Sequence, residues 1–188
     1  MPDQLPTIET ERLVLRPYTL ADAPRVQQMC NDPEVAATTL ALPHPYPDGA
    51  ADQWISTHEE RFREGKGLTL AITLRQSGLI VGTMSLDPIS PTHRRGELGY
   101  MVAREHWNHG YCTEAARATI NHAFEHLGIN RVQAMHFPRN PASGHVMEKL
   151  GMTREGMLRQ YVFGRNSPED VIVYAILKSD TGPRSGQQ

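Results

Sequence analysis

Short apolar runs bounded by charged residues or proline open the chain and predict a strand followed by a helix. Leu13–Leu15 is a β-like run that stops at Pro17, which cannot donate a hydrogen bond to a sheet. From Thr19 to Met29 apolar residues recur at spacings of three, which is typical of a helix. The chain is therefore expected to begin with a β–α pair.

The next part of the chain predicts a helix and an antiparallel hairpin. Pro43–Pro47 holds three prolines and predicts an ordered loop, after which Ala51–Glu64 has helical spacing. Two β-rich runs follow, Leu68–Leu74 and Leu79–Leu86, and only the turn-forming residues Arg75–Gly78 separate them.

The second half alternates strands and helices and then ends in another hairpin. The predicted elements are strand Glu97–Val102, helix Thr113–Leu127, strand Arg131–Phe137, helix Pro141–Leu150 and strands Met157–Phe163 and Val171–Leu177. The last two strands would be joined by a turn through Gly164, Asn166, Ser167 and Pro168. Residues 1–188 are thus predicted to form one α/β (α+β) domain, with short mobile tails at about residues 1–7 and 179–188.

Composition narrows the class of partner. A chain of 188 residues with 39% hydrophobic and 21% charged residues is typical of one soluble domain. The formal net charge is -2, with no run of lysine or arginine, so nucleic acid is not an expected partner. Cys30 and Cys112 form no CxxC pair, and no apolar segment is long enough to cross a membrane. We therefore expect a cytoplasmic protein without a membrane partner.

The segment from His106 to Ala115 carries the first candidate for binding chemistry. It lies between a predicted strand and a predicted helix and contains Gly110, so backbone N–H groups can converge where the helix N-terminus adds partial positive charge. A pyrophosphate would suit such a site. An ordinary loop is the alternative, since a glycine before a helix is common.

A second segment lies about thirty residues downstream and predicts a well-formed helix. Asn140 suits the capping position, Pro141 the first helical position and Gly151 the left-handed position after the last turn. The strand GELGYMV, the loop HWNHGYCTEA and the helix NPASGHVMEKLGM together resemble the core of GNAT acetyltransferases in order and spacing. More narrowly, they resemble the branch that includes ribosomal-protein N-terminal acetyltransferases, over about Ile8 to Leu177.

This resemblance implies a mixed, mostly antiparallel sheet with two splayed strands and flanking helices, and acetyl-CoA as cosubstrate. The family's loop begins with Gln or Arg and has Gly in fourth and Gly or Ala in sixth position. Trp107, Gly110 and Cys112 stand there in this chain, so only the central glycine matches.

The resemblance also implies the residues that hold the cosubstrate. The backbone of Met101, Val102 and Ala103 is expected to pair with the pantetheine arm like an added strand. Asn140 is expected near the thioester. The pyrophosphate is expected at the residues of the loop and first helical turn, namely Asn108, His109, Gly110, Tyr111, Cys112 and Thr113.

Acetyl transfer to an amine calls for a base, because a lysine-like amine is neutral in only about one molecule in 2,500 at pH 7. Glu97 lies thirteen residues before Gly110, close to where related enzymes carry a strand-borne glutamate base. We expect Glu97 to take the proton, directly or through a water molecule. The alternative is a solvated glutamate beside Arg94 and Arg95.

The leaving sulfur needs a hydrogen-bond donor. Many relatives place a tyrosine in the helix after Asn140, whereas Val146 and Met147 stand in that part of this helix. Ser143 carries the nearest hydroxyl, and we expect it to act as a donor or relay. Its alternative role is to satisfy backbone N–H groups at the helix start.

Histidine and tryptophan give weaker signals. His122 and His126 share a helical face, but no HExxH motif or cysteine cluster accompanies them, so no metal site is predicted. Trp54 and Trp107 are expected in the core or in a wall of the site.

The expected function is direct acetyl transfer from acetyl-CoA to a primary amine in a ternary complex, without a covalent acyl-enzyme. The acceptor is either a protein N-terminus or a small-molecule amine, contacted by residues 38–51 and 157–170. A sensor that binds acyl-CoA without turnover is the alternative, and the choice between a monomer and a homodimer stays open.

Overall fold

The computed structural model describes residues 4–39, 42–164 and 167–181. Within these residues the strands, in chain order, are β1 (Ile8–Glu9), β2 (Leu13–Arg16), β3 (Leu68–Leu74), β4 (Ile80–Ser90), β5 (Arg95–Val102), β6 (Arg131–His136), β7 (Thr153–Phe163) and β8 (Pro168–Leu177). They form one sheet in the order β1-β2-β3-β4-β5-β6-β8-β7. Neighbouring strands are antiparallel except β5 and β6, which are parallel. The predicted mixed, mostly antiparallel sheet is confirmed.

Helices cover both faces of the sheet. In the described part of the chain they are α1 (Ala23–Cys30), α2 (Pro33–Ala37), α3 (Ala50–Ser56), α4 (His58–Arg63), α5 (Tyr111–His126) and α6 (Pro141–Lys149). None of these helices is both long and apolar enough to cross a membrane.

Two apolar clusters lie on opposite faces of the sheet, and each packs against a different set of helices. Leu70, Leu86 and Leu98 point towards α5 and α6, where they pack against side chains such as Ile120. Residues one position away in the strands, such as Met101, point to the opposite face and pack in a cluster with residues of α1 and α3. This alternation follows from the two-residue period of a strand, and it puts different chemistry on the two faces.

Two predicted helices have different bounds in the structure. The helix expected over Ala51–Glu64 is broken into α3 and α4 at Thr57, whose backbone N–H and hydroxyl both bond to the carbonyl of Trp54. A threonine hydroxyl that bonds to nearby backbone competes with helical hydrogen bonding. The helix expected from Thr19 begins as a 3₁₀ turn, and α1 starts only at Ala23.

The chain ends also differ from expectation. Residues 179–181, which were predicted to belong to a mobile tail, are part of a 3₁₀ helix over Lys178–Thr181, in which the Asp180 carboxylate accepts from the Leu177 N–H at 2.8 Å. Leu5, expected in the N-terminal tail, is partly buried against the core. Residues 1–3 and 182–188 and Asn166 of the predicted hairpin turn lie outside the described residues.

Candidate active site

The parallel strands β5 and β6 separate and open a cleft in the sheet. They pair only from Arg95 with Arg131 to Glu97 with Gln133. Beyond that point β5 continues beside β4 to Val102, and β6 continues beside β8. Because each strand is held by a different neighbour, the gap between them widens away from Glu97. This is the pair of splayed strands that the family resemblance implies.

The backbone of β5 forms one wall of the cleft. The Ala103 N–H donates to the Val81 carbonyl at 2.8 Å, and the Ala103 carbonyl accepts from the His106 N–H at 2.9 Å. Both groups of Ala103 are therefore committed inside the protein, which argues against its predicted pairing with pantetheine. Strand alternation turns Met101 towards β4 as well and directs Val102 into the cleft. The Val102 carbonyl accepts from the Trp107 indole at 2.7 Å, so its N–H is the group left to pair with a ligand.

The loop after β5 is curled by two left-handed residues. Asn108 has φ of 64° and Gly110 has φ of 77°. Asparagine tolerates this region and glycine adopts it at no steric cost, whereas a β-branched residue would be strained there. The indole bond of Trp107 to β5 anchors the start of the loop. Backbone turns of this kind direct N–H groups towards a common point.

Helix α5 begins at Tyr111, two residues earlier than predicted, because Gly110 occupies its N-capping position. The first intrahelical bond runs from the Glu114 N–H to the Gly110 carbonyl at 3.1 Å. The N–H groups of Tyr111, Cys112 and Thr113 consequently have no partner within the helix. Three such groups lie at the positive end of a sixteen-residue helix, an arrangement that suits an anion, and all three belong to the stretch predicted to hold the pyrophosphate.

Arg12 lies against this site, although the sequence analysis gave it no role. Its Nε donates to Glu114 Oε2 at 2.7 Å, and its Nη1 donates to the His109 carbonyl at 3.0 Å. Its guanidinium carbon lies 5.0 Å from the centre of the Tyr111 ring. Burial raises the pKa of Glu114, but hydrogen bonds from Thr10 and Arg12 outweigh this and leave it below its usual value. Arg12 therefore fixes the loop and brings positive charge to it.

Glu97 occupies the point where the strands part. It is partly buried, and its Oε2 accepts from Gln133 Nε2 at 3.0 Å across the last parallel pair. Arg94, one of the two arginines expected beside Glu97, donates to the Gly128 carbonyl at 2.9 Å. Glu97 shares its sheet face with Met101, opposite the face of α5 and α6.

Ser143 lies on the other face and contacts a tyrosine. Its Oγ is 2.8 Å from Tyr100 Oη, which also donates to the Ser143 carbonyl at 3.1 Å. The capping role belongs to Asn140, whose Oδ1 accepts from the Ser143 N–H at 3.4 Å. Burial raises the pKa of Tyr100 well above its usual value, with the neighbouring Cys112 adding to this and the Ser143 hydrogen bond opposing it. The phenol therefore stays protonated at neutral pH.

Helix α6 can carry Ser143 this close to the sheet because Gly144 has no side chain. A Cβ at Gly144 would lie 2.9 Å from Nε2 of His136, the last residue of β6. Sequence periodicity gave no sign of this contact, since it joins a strand end to a helix.

Other reactive groups do not enter the cleft chemistry. Burial raises the pKa of Cys30 to about 11 and that of Cys112 to about 12, so both thiols stay protonated near neutral pH. The rings of His122 and His126 lie 4.8 Å apart. Over residues 4–39, 42–164 and 167–181 there is no group of three or more side chains suited to holding a metal ion.

Comparison with known proteins agrees with this geometry. The acetyltransferase (GNAT) domain family matches residues 12–153. The uncharacterized N-acetyltransferase YoaA of Bacillus subtilis is 32% identical over 173 residues, covering 92% of this chain and 97% of YoaA. The ribosomal-protein-serine acetyltransferase of Escherichia coli is 29% identical over 96 residues, covering 51% of this chain and 54% of its own length.

The structure of Mycobacterium smegmatis RimJ in complex with CoA-disulfide superposes with a TM-score of 0.85. The match covers 97% of this chain and 92% of RimJ, and at 23% identity it is a likeness of fold. The chain therefore belongs to the GNAT acetyltransferase family and is an N-acetyltransferase that uses acetyl-CoA as its donor.

Proposed function

We propose that this enzyme acetylates the α-amine of a protein N-terminus by direct attack on acetyl-CoA, with Glu97 as the base. The observation that carries the proposal is the arrangement around the cleft. A carboxylate lies on one side of the sheet at the end of the gap, and the Ser143–Tyr100 hydroxyl pair lies on the other. Proton removal and stabilisation of the leaving group can then act on the two sides of one reacting bond.

The residues present fit acetyl-CoA, which supplies an activated acetyl thioester. The N–H groups of Tyr111, Cys112 and Thr113 would hold the pyrophosphate, and the Val102 N–H would pair with the pantetheine arm. Arg12 lies beside the phosphate site and would add to its positive potential.

The proton balance assigns roles to three side chains. The amine nitrogen bonds to the acetyl carbon as the carbon–sulfur bond breaks, and Glu97 takes the proton that the amine loses. Ser143 donates a hydrogen bond to the departing sulfur while the single Tyr100 proton turns from the Ser143 carbonyl to Ser143 Oγ, so neither hydroxyl has to ionise. A thiol has a pKa of about 8.5 and leaves readily with this help.

The choice of an α-amine as acceptor rests on the pKa of the amine and on the contacts of Arg139. An α-amine with a pKa of about 7.7 to 8.0 is neutral in about a tenth of molecules at pH 7, far more than a lysine-like amine. Arg139 donates to Glu169 at 2.7 Å and to the Ala37 carbonyl, so it links the 157–170 segment to the end of α2, immediately before the 38–51 segment. The Escherichia coli relative is named as an acetyltransferase of a ribosomal protein, which also supports a protein substrate.

We further propose that the enzyme works in the cytoplasm. The supply of acetyl-CoA there and the two unpaired thiols, Cys30 and Cys112, support this location.

The proposal is tested by comparing wild type and Glu97→Gln from pH 6 to 10 on a peptide with a free N-terminus and on a polyamine. The variant should lose about 10² in rate near neutral pH and regain part of it in alkali, where the amine loses its proton unaided. Glu125→Gln, an exposed position on α5, serves as the matched control. Coenzyme A release is measured alongside acetyl-CoA binding.

Three outcomes would count against the proposal. Tight acetyl-CoA binding with no release from any amine would favour the sensor. Release from the polyamine alone would replace the protein acceptor by a small amine. Full activity of Glu97→Gln would remove Glu97 as the base.

A further inference from the structure

A second cavity lies between α3–α4 and the sheet, outside the predicted cosubstrate site. It has a volume of about 550 Å³, and its walls include Trp54, His58, Thr69 and Asp87. Trp54 and His58 pack edge to face with ring centres 4.4 Å apart. The cavity therefore combines an aromatic wall with polar groups, a combination typical of ligand pockets.

His58 is a polar side chain without a partner inside this cavity. It is only 5% exposed, and within the described residues neither of its ring nitrogens has a hydrogen-bond partner. Burial lowers its pKa to about 4, with Asp87 opposing the shift and Arg61 adding to it. His58 is neutral at pH 7 and presents one lone pair and one N–H. A buried polar group of this kind calls for a hydrogen-bonding partner.

The cavity lies on the same face of the sheet as the proposed base. Thr69 pairs with Ser85, and Ser85 pairs with Gly99, two residues from Glu97 on the same strand face. Two strand spacings, about 10 Å, separate Thr69 from Gly99, and Glu97 lies two residues or about 7 Å further along β5, so Thr69 and Glu97 are about 12 Å apart. An extended peptide advances about 3.3 to 3.6 Å per residue, so its second or third side chain could reach the cavity while its amine reaches Glu97.

The charges around the cavity favour a cation. Glu60, Glu64 and Asp87 contribute three carboxylates, whereas Arg61 contributes one guanidinium, which is paired with Asp87 at 2.6 Å. Lys66 lies 2.9 Å from Glu64 and offsets part of this charge. The surroundings therefore remain net negative.

We propose that this cavity binds a lysine or arginine side chain at the second or third position of the acceptor peptide, an inference that rests on the proposed function. The cationic head would lie against the Trp54 ring and the glutamates at the rim, beside the buried ring of His58. A ring face and acidic neighbours both stabilise a cation.

The first test measures binding without turnover. Tetrapeptides that are already N-acetylated, with lysine or norleucine at the second or third position, are titrated into the full chain with coenzyme A present. The imidazole ¹⁵N resonances of His58 report occupancy. The lysine peptides should shift these resonances, and Glu60→Gln/Glu64→Gln should weaken their binding about tenfold. Glu59→Gln, an exposed neighbour that does not line the cavity, should leave it unchanged.

The second test measures kcat/KM on the unblocked peptides. Lysine should be preferred to norleucine by about tenfold, and the double glutamine variant should abolish the preference. Equal responses of His58 to both peptides, or no response at millimolar concentration, would overturn the inference. The blocked peptides need no catalysis, so the binding result stands even where no peptide is acetylated and the proposed function itself fails.

Discussion

Gly144→Ala should destabilise the protein, although alanine is the better helix former. In an exposed helix interior this change would add about 1 kcal/mol of stability. Here the new Cβ would meet His136 Nε2 at 2.9 Å and Cε1 at 3.0 Å. The imidazole cannot easily retreat, because it is 8% exposed, its Nδ1 bonds to the Phe137 carbonyl at 2.9 Å, and the Tyr174 ring lies 5.8 Å away.

The size of the effect follows from these two terms. Overpacking a well-packed site costs about 1 to 3 kcal/mol, which exceeds the gain in helix propensity. We therefore expect a net loss of about 1 kcal/mol in the free energy of unfolding. Turnover should also fall, since displacing α6 moves Ser143 away from Tyr100.

Chemical denaturation of four proteins measures this: wild type, Gly144→Ala, His136→Ala and the double variant. The cost of Gly144→Ala should disappear in the His136→Ala background, because the colliding ring is gone. Ala142→Gly, at an exposed position of the same helix, is the control for propensity and should cost about 1 kcal/mol. A Gly144→Ala protein stabilised by about 1 kcal/mol would refute the close approach of α6 to β6.

Three further predictions concern the cosubstrate loop, the hydroxyl pair and the buried histidine. Gly110→Val should raise the Michaelis constant for acetyl-CoA severalfold because valine is strained at φ of 77°, and unchanged affinity in a folded variant would contradict the phosphate placement. Tyr100→Phe and Ser143→Ala should each lower kcat more than acetyl-CoA affinity, and the double variant should be no worse than Ser143→Ala, whereas additive losses would show that the two act separately. Burial lowers the pKa of His58 to about 4 from its usual 6.5, so the unfolded state binds more protons between these values and stability should fall as the pH drops from 6.5 to 4. The free energy of unfolding should fall by up to about 3 kcal/mol over this range. If a His58→Phe protein loses stability with falling pH as steeply as wild type, His58 is not the cause of the loss.

Local patterns predict most of the strands and the loop that leads into α5, because both depend on residues close in sequence. Leu68–Leu74 is a strand at the predicted positions. The stretch from Asn108 to Thr113 runs from the loop directly into the first turn of α5. The start of α5 was misplaced by two residues because Gly110 suits a loop and a helix cap equally well.

The parts of the site that were not predicted from the sequence depend on contacts between distant segments. Arg12 and Glu114 are 102 residues apart, and Tyr100 and Ser143 are 43 apart, so no periodicity or turn signal links them. The cavity at His58 is lined by residues of α3, α4, β3 and β4, which are distant in sequence. Such features follow from how the sheet brings elements together, and a single sequence does not encode them in a local pattern.

The central claim is that the acetyl group is transferred at the point where β5 and β6 part. A crystal structure with coenzyme A and an acceptor peptide tests it most directly. The account predicts the pyrophosphate at the N–H groups of Tyr111–Thr113, the sulfur within hydrogen-bond reach of Ser143 Oγ, and the peptide amine within reach of Glu97, directly or through one water. A sulfur on the far side of α6, or a peptide amine with no path to Glu97, would contradict it.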